Sequence, residues 1–171
     1  GEYLYDLYST GSTPWEWHKV IFQRAKEHNL DCFSSPFDLS AIELLEDLNT
    51  PAYKIASAEI TDVNLIKSIA VTGKPIIMST GMASINEIEE AVNTLVKNNC
   101  DNYALLKCTS NYPCAPKDSN LETMNLLRDL FNCEVGFSDH TLGIGASIAA
   151  VARGASIIEK HFTLKRTDGG I

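Results

Sequence analysis

Basic side chains are scarce in this sequence of 171 residues, which has 14 Lys and Arg against 22 Asp and Glu and a formal net charge of -8. Proteins that bind nucleic acids or anionic membrane surfaces need clustered cations to neutralise phosphates. We therefore expect neither kind of partner. An anionic ligand would have to bind in a pocket that is locally positive.

Long apolar runs and paired cysteines are also lacking. The apolar stretches extend for only a few residues, whereas a helix needs ~20 apolar residues to span a bilayer. The five cysteines are odd in number and form no CxxC pair, which is unlike a secreted disulfide framework. We expect free thiols and a cytoplasmic protein.

Segments that favour strands alternate with segments that favour helices along the chain. Such alternation predicts βαβ units that form a parallel sheet. The six predicted strands are residues 31–35, 52–57, 75–80, 103–108, 134–138 and 156–161. Six successive units favour a (β/α)8 barrel, or TIM barrel, over a doubly wound sheet. Since a complete barrel needs roughly 250 residues, we expect residues 1–171 to form one incomplete TIM-barrel catalytic domain with about six of the eight units.

Polar residues mark the predicted starts of several helices. Ser40 and Ser84 each precede a glutamate by three residues, which is the spacing of a capping box. The Thr61-Asp62 pair offers a further cap.

Two histidines, His140 and His161, follow the last two predicted strands. These strands would be neighbours in a barrel, so both imidazoles can point at one spot above the rim. Two histidines with solvent or substrate oxygen suit Mn²⁺, Zn²⁺ or Fe²⁺. A single histidine near a strand end is more often an ordinary polar residue than a metal ligand. Their matching positions favour a metal site.

Hydroxyl groups recur at the ends of the predicted strands, with Lys54 among them. Hydroxyls, a cation and backbone N–H groups can together surround a phosphate, and Gly81 permits close approach of the backbone to an anion. Serine is also a routine turn and cap residue, so the prediction of a phosphate site depends on the recurrence of serine at successive strand ends. The serines are Ser35, Ser57, Ser79, Ser110 and Ser138.

Glu59 follows Lys54 and Ser57 at one predicted strand end. There it could act as an acid or base whose pKa is tuned by the lysine and a metal. It could equally be an ordinary carboxylate that is favoured by the dipole of a helix start. Cys108 has no activating base that the sequence reveals.

Six motifs at the strand ends occur in a specific order and spacing: FSSPFD at 33–38, YKIAS at 53–57, STGM at 79–82, CTSNYP at 108–113, GFSDHT at 136–141 and EKHFT at 159–163. Together they resemble the sialic acid synthases, phosphoenolpyruvate-dependent enzymes that make nine-carbon keto-sugar acids. LYDLY at 4–8 and TPWEWH at 13–18 are more similar to the pseudaminic acid synthases within that family than to the N-acetylneuraminate synthases.

The resemblance implies a role for each candidate residue. His140 and His161 would hold a divalent metal, manganese or else magnesium or cobalt, and Glu59 would be the catalytic carboxylate. Tyr112 would lie near the acceptor sugar. Phosphoenolpyruvate would contact Lys54, Ser35, Ser57, Ser79, Ser110 and Ser138, where Ser110 stands in place of the asparagine of the N-acetylneuraminate branch.

The implied reaction joins phosphoenolpyruvate to a 2,4-diacetamido-trideoxyhexose, gives a nonulosonic acid such as pseudaminic acid, and releases phosphate. N-acetylmannosamine as acceptor is the close alternative. An inactive fragment and a barrel aldolase with a Schiff base on Lys54 or Lys160 are readings of other classes. The family also implies a homodimer, two βα units before residue 1, a C-terminal antifreeze-like domain, and an aspartate in the glycine-rich segment that the chain reaches at residues 168–171.

Overall fold

The computed structural model describes residues 3–167, and the glycine-rich segment at 168–171 lies outside this range. The described residues fall into two compact units. The terminal unit comprises residues 3–32 and 162–167 and contains helices α1 (Leu4–Gly11) and α2 (Trp15–Glu27). The barrel unit is Phe33–His161.

Strands and helices alternate through the barrel unit. In chain order they are α3 (Leu39–Asp47), β1 (Tyr53–Ile55), a 3-10 turn (Ser57–Glu59), α4 (Val63–Ala70), β2 (Ile76–Ser79), α5 (Ile85–Lys97), β3 (Tyr103–Cys108), a 3-10 turn (Pro116–Asp118), α6 (Thr123–Phe131), β4 (Glu134–Asp139), α7 (Gly145–Ala152) and β5 (Ile157–Lys160). The strands form one parallel sheet in the order β1-β2-β3-β4-β5. Sequential neighbours in one direction are typical of a barrel, whereas a doubly wound sheet reverses its order.

The prediction of a strand at residues 31–35 is wrong. This segment contributes one isolated bridge, Ser34 to Tyr53, in which the Lys54 amide donates to the Ser34 carbonyl at 3.2 Å. Pairing cannot extend because Pro36 lacks the N–H that a ladder needs and because β1 has only three residues. The sheet therefore has five strands and a bridge instead of six strands.

Alternate residues of each strand point to opposite faces of the sheet. One side is the helix face, where the Tyr53 hydroxyl donates to Glu46 of α3 at 2.7 Å and the Tyr103 hydroxyl donates to the Phe131 carbonyl of α6 at 3.3 Å. Buried apolar side chains fill this face: Ile55, Ile76, Met78, Leu105, Val135 and Phe137. The opposite side, the inner face, carries Lys54, Ser79, Cys108, Ser138 and Glu159. The hydrophobic core thus lies between sheet and helices, and polar residues gather on the inner face.

The inner face is strongly curved. Neighbouring strands lie ~4.8 Å apart, so β1 and β5 would be separated by roughly 19 Å in a flat sheet. Nevertheless, Lys54 Nζ on β1 lies 3.4 Å from Glu159 Oε2 on β5. The two edge strands therefore curl toward each other, which confirms the incomplete barrel.

Side-chain caps fix the starts of three helices in the barrel unit. Ser84 and Glu87 form the predicted capping box of α5, and Asp62 accepts from the Leu65 amide to cap α4. The predicted cap at Ser40 is wrong. Asp38 caps α3 instead and accepts from both the Ala41 amide and the Ser40 hydroxyl, because a carboxylate is the stronger acceptor.

These caps predict different effects for two chemically identical substitutions. Ser84→Ala should lower the free energy of unfolding by about 1 kcal/mol, the usual loss for an N-cap hydroxyl. Ser40→Ala should change it by less than about 0.5 kcal/mol, because Ser40 only donates to the true cap. Urea unfolding of the complete gene product measures both, and equal losses would contradict the cap assignments.

Candidate active site

The ends of β4 and β5 carry three polar side chains in succession. Ser138 lies opposite Glu159, and its hydroxyl donates to Glu159 Oε1 on the inner face. Asp139 lies opposite Lys160 on the helix face, with Lys160 Nζ 3.0 Å from Asp139 Oδ2. The next residues are His140 and His161. Strand alternation returns both histidines to the side of Ser138 and Glu159.

The two predicted metal ligands are close together. The ring centroids of His140 and His161 are 5.4 Å apart, and the Tyr112 ring lies 4.0 Å from the first and 5.5 Å from the second. His140 Nδ1 is 2.9 Å from the Thr109 carbonyl oxygen. A carbonyl only accepts, so Nδ1 carries the proton and Nε2 keeps its lone pair in the neutral ring.

Lys54 forms the second half of the site. Its ammonium is buried, donates to Ser79 Oγ at 2.8 Å and to the Ile55 carbonyl at 3.0 Å, and lies beside Glu159. Burial lowers the pKa of Lys54, and the nearby carboxylates of Glu159 and Glu59 offset part of that effect. A buried ammonium among hydroxyl groups is suited to binding an anion.

Gly81 brings two further predicted residues together. Its amide donates to Ser57 Oγ at 3.0 Å. A Cβ atom at this position would lie 2.5 Å from Ser110 Oγ and 2.8 Å from Ser57 Oγ. A side chain at this position would therefore displace these two hydroxyls, and the predicted approach of the Gly81 backbone to an anion stays a prediction.

Glu59 lies in the 3-10 turn that follows β1. Its Oε2 atom is buried and has no hydrogen-bond partner among the described residues. Burial raises the pKa of Glu59 above its usual value, Asp62 adds to this effect, and Lys54 opposes it. A carboxyl group that is half-buried, incompletely solvated and close to a cation has the properties of a general acid or base.

Comparison with known proteins identifies the family of this chain. The model of the NeuB family matches residues 1–171. The chain belongs to the NeuB family. This confirms the resemblance to sialic acid synthases that the strand-end motifs indicate.

Two curated relatives are similar over most of the chain. The pseudaminic acid synthase of Helicobacter pylori is 48% identical over 166 residues, which are 97% of this chain and 49% of that protein. The N,N'-diacetyllegionaminic acid synthase of Campylobacter jejuni is 48% identical over 155 residues, which are 90% of this chain and 46% of that protein. The chain thus spans about half the length of the curated relatives it matches.

A solved structure supports the fold independently. The N-acetylneuraminic acid synthetase of Leptospira borgpetersenii serovar Hardjo-bovis superposes with a TM-score of 0.92 at 35% identity, over 97% of this chain and 58% of that chain. In the part of this NeuB chain that the structure describes, no helix is long and apolar enough to cross a membrane.

Within this NeuB site, most of the predicted residues form one connected group on the inner face. Cys108 joins the two halves, because its Sγ lies 3.9 Å from Ser110 Oγ and 4.0 Å from His140 Nδ1. His140 does not activate this thiol as a nucleophile, because the Nδ1 proton of His140 is hydrogen-bonded to the Thr109 carbonyl oxygen. The parallel bridge of Ser34 to Tyr53 places Ser35 next to Lys54 in register, its side chain has no hydrogen-bond partner within residues 3–167, and its role in the site stays a prediction.

Sequence reasoning missed three contributors to the site. Glu159 accepts from Ser138 and pairs with Lys54, and the signal for it was its position two residues before His161, which places both on one face. Lys107, on the helix face, donates to the Thr109 hydroxyl at 2.7 Å and so restrains the residue whose carbonyl orients His140. Asp139 is buried beside His140 and is bonded to Ser147 of α7.

The histidines fit a divalent metal as a pair. Among the described residues, no group of three or more His, Cys, Asp or Glu side chains is arranged to hold a metal ion. The protein therefore offers two imidazoles, and His140 presents Nε2 as the ligand atom because Nδ1 is committed to a carbonyl, a common arrangement around metal sites. The remaining positions would be filled by water or substrate oxygen.

The raised pKa of Glu59 predicts a pH-dependent effect of Glu59→Gln. The folded wild type holds the proton more tightly than the unfolded chain, so its stability falls as the pH rises from about 4.5 to the raised folded pKa. The Glu59→Gln variant has no such loss of stability, because glutamine does not titrate. The free energy of unfolding of Glu59→Gln, relative to wild type, should rise over this interval and then remain constant.

Urea unfolding from pH 4 to pH 8 measures this difference. Glu89→Gln, at an exposed position of α5, is the matched control for the removal of one negative charge. A Glu59→Gln difference that does not change with pH would contradict the raised pKa.

Proposed function

We propose that the protein is a metal-dependent synthase that joins phosphoenolpyruvate to the aldehyde of an N-acylated amino sugar and releases phosphate. The observation that carries the proposal is the position of His140 and His161, 5.4 Å apart, beside the buried cluster of Lys54 and Ser79. A metal site and an anion site on one inner face are what this reaction requires. The membership of the NeuB family supports the same reaction class.

The anion half of the site would bind phosphoenolpyruvate. Lys54 would pair with its phosphate or carboxylate, and the hydroxyls of Ser57, Ser79, Ser110 and Ser138 would donate hydrogen bonds. Glu159 supports this role, because a carboxylate 3.4 Å from the buried ammonium favours its charged form. Ser35 is proposed as a further contact with phosphoenolpyruvate on family resemblance alone.

His140 and His161 would hold the metal, which we propose to be manganese, with magnesium or cobalt as alternatives. The chemistry that a divalent ion held there would supply is polarisation of the aldehyde oxygen of the open-chain sugar. C3 of phosphoenolpyruvate then bonds to the aldehyde carbon, and water adds to the cationic centre at C2. The tetrahedral product collapses with release of inorganic phosphate. Glu59 would take the proton from that water, as its raised pKa suits.

The acceptor is proposed to be a 2,4-diacetamido-trideoxyhexose, so that the product is pseudaminic acid or a related nonulosonic acid. Tyr112 is 66% exposed and contacts both histidine rings, so its ring offers an amphipathic surface to the sugar. The relatives named as pseudaminic and N,N'-diacetyllegionaminic acid synthases support this acceptor class. N-acetylmannosamine is the alternative. A homodimer and a cytoplasmic location stay predictions from the sequence.

A Schiff-base aldolase is the second candidate, because burial lowers the pKa of Lys54 and thereby favours a nucleophilic amine. Lys160 is less suited to this chemistry. Its Nζ is bonded to Asp139 and to the Thr141 carbonyl at 2.8 Å on the helix face.

Phosphate release from phosphoenolpyruvate, with Mn²⁺ and each acceptor sugar in turn, tests the proposal on the complete gene product. His140→Ala and His161→Ala should each lower kcat at least about 100-fold, because each removes a metal ligand. His28→Ala, at an exposed position in the terminal unit, should leave the rate unchanged.

Two outcomes would decide against the synthase. The first is the absence of a nine-carbon product with either sugar. The second is activity that survives a chelator together with borohydride trapping of substrate on Lys54, which would establish the aldolase. If the complete product is active, residues 1–171 assayed alone test whether this chain is an inactive fragment.

Gly81→Ala should weaken the anion half of the site selectively. The added methyl group would displace the Ser57 and Ser110 hydroxyls, so the KM for phosphoenolpyruvate should rise about 10-fold or more, a loss typical of misplaced binding groups. Gly145→Ala is the matched control, because a Cβ there meets nothing within 4 Å. A Gly81→Ala enzyme with unchanged KM would remove these serines from the binding site.

A further inference from the structure

The ends of β4 and β5 contain an ion pair with no part in the proposed chemistry. Asp139 and Lys160 lie directly opposite each other in the register, with Lys160 Nζ 3.0 Å from Asp139 Oδ2. Both side chains point to the helix face, away from substrate. Among the described residues this is the only ion pair between directly opposed residues of neighbouring strands. Each partner immediately precedes one of the histidines.

Asp139 also encloses the backbone of His140. Its Oδ1 atom accepts from the Thr141 amide at 2.8 Å, which closes a turn around the histidine. Lys160 completes the enclosure by donating to the Thr141 carbonyl at 2.8 Å. The backbone on both sides of His140 is therefore bonded to the strand that carries His161.

A third element is bonded to the same carboxylate. Ser147 of α7 donates its hydroxyl to Asp139 Oδ2, and Asp139 is only 1% exposed. The pair therefore joins β4, β5 and the helix between them at one point. These directed bonds restrict the strand ends to one arrangement, and the buried Thr141 hydroxyl is the one side-chain atom of the group without a hydrogen-bond partner among the described residues.

Stability alone is a weak explanation for this ion pair. Asp139 is buried but Lys160 is exposed, so water screens their attraction and the ordered lysine side chain loses entropy, and such a pair contributes little to stability. What apolar residues cannot provide is the set of directed bonds to Thr141. The geometric restraint is therefore the property that distinguishes this pair.

We propose that Asp139 and Lys160 are positioning residues that hold His140 and His161 at the separation and orientation needed to bind a divalent metal. The inference rests on the proposed function, because it takes these histidines as the metal ligands. The Asp139–Lys160 pair fixes the strand ends from the helix face, while Thr109 fixes the His140 ring from β3. Both positioning residues lie on the face of the sheet opposite to Lys54 and Glu159.

Isothermal titration calorimetry of Mn²⁺ binding to the complete gene product, in the absence of substrates, tests this role. Lys160→Met removes the restraint with little change in volume, and it should weaken Mn²⁺ binding about 10- to 100-fold, the usual loss for residues that orient ligands. Lys160→Arg keeps the charge and donors, so it should restore most of the affinity. Lys74→Met is the matched control, since it breaks the Lys74–Glu46 pair of 2.7 Å far from the histidines.

A second variant guards against the effect of an unpaired buried charge. Asp139→Asn combined with Lys160→Met removes both charges, so any loss of fold from an isolated carboxylate is avoided. It too should bind Mn²⁺ at least about 10-fold more weakly. Circular dichroism checks that each variant is folded at the temperature of the titration.

A readout without metal separates positioning from stability. Nitrogen-15 spectra of the histidine rings report which nitrogen of His140 carries the proton. Wild type should show the Nδ1–H form that Thr109 selects, and the folded double variant should show a mixture of forms, because the strand end would no longer hold the His140 ring against the Thr109 carbonyl.

The outcomes distinguish this inference from the function on which it rests. Wild type that binds no Mn²⁺ would overturn the metal site and the positioning role together. Wild-type binding with a folded double variant of affinity within twofold, and with an unchanged His140 ring form, would overturn the positioning role alone. An equal loss in Lys74→Met would also overturn it, because the effect would then be general.

Discussion

The ion pair between Lys54 and Glu159 is the interaction on which the site depends. It joins the first and last strands of the sheet across the inner face at 3.4 Å. Without curvature these strands would lie roughly 19 Å apart, so the pair exists only in a barrel. In return, Glu159 compensates the charge of a lysine that is buried together with Ser79. The inner face thus contains a buried cation that is paired with a carboxylate, and both its desolvation and its pairing matter for the binding of an anion.

The two-residue period of the strands then divides the polar residues between two tasks. Ser138 and His140 face the interior, and Asp139 between them faces the helices; Glu159, His161 and Lys160 repeat this division on the next strand. A slip of one residue in the register would exchange the two sets. The candidate site residues on one face are therefore coupled to the restraining residues on the other face, because the two sets alternate along the same two strand ends.

The sequence predicted the elements of the barrel better than the contacts between them. Runs such as the one at β3 are apolar enough to be recognised as buried strands, and the capping box at Ser84 is a local signal. The strand at residues 31–35 failed because Pro36 and a three-residue partner stop the ladder, and both effects depend on pairing. Local patterns cannot report pairing between distant segments.

The candidate site shows the same limit more sharply. His140, His161 and Lys54 could be predicted because each stands at the end of a strand, where catalytic groups of barrels are found. Glu159 could not be given its role in advance, since its partners Ser138 and Lys54 lie 21 and 105 residues away in the chain. Ser35 follows the isolated bridge of Ser34 to Tyr53 and has no hydrogen-bond partner within residues 3–167, so its role stays a prediction from the sequence.

The end of β3 lies between the two halves of the site. This position is consistent with the small side chain of Cys108, the last residue of the strand. The histidines extend from β4 and β5, whereas Lys54 and Ser79 belong to β1 and β2. Cys108 contacts both halves, at 3.9 Å from Ser110 Oγ and 4.0 Å from His140 Nδ1, yet it has no base to activate it. In the proposed reaction the two substrates would bind in the two halves, so the new carbon-carbon bond would form near the end of β3. A compact thiol at Cys108 would leave space there for both substrates.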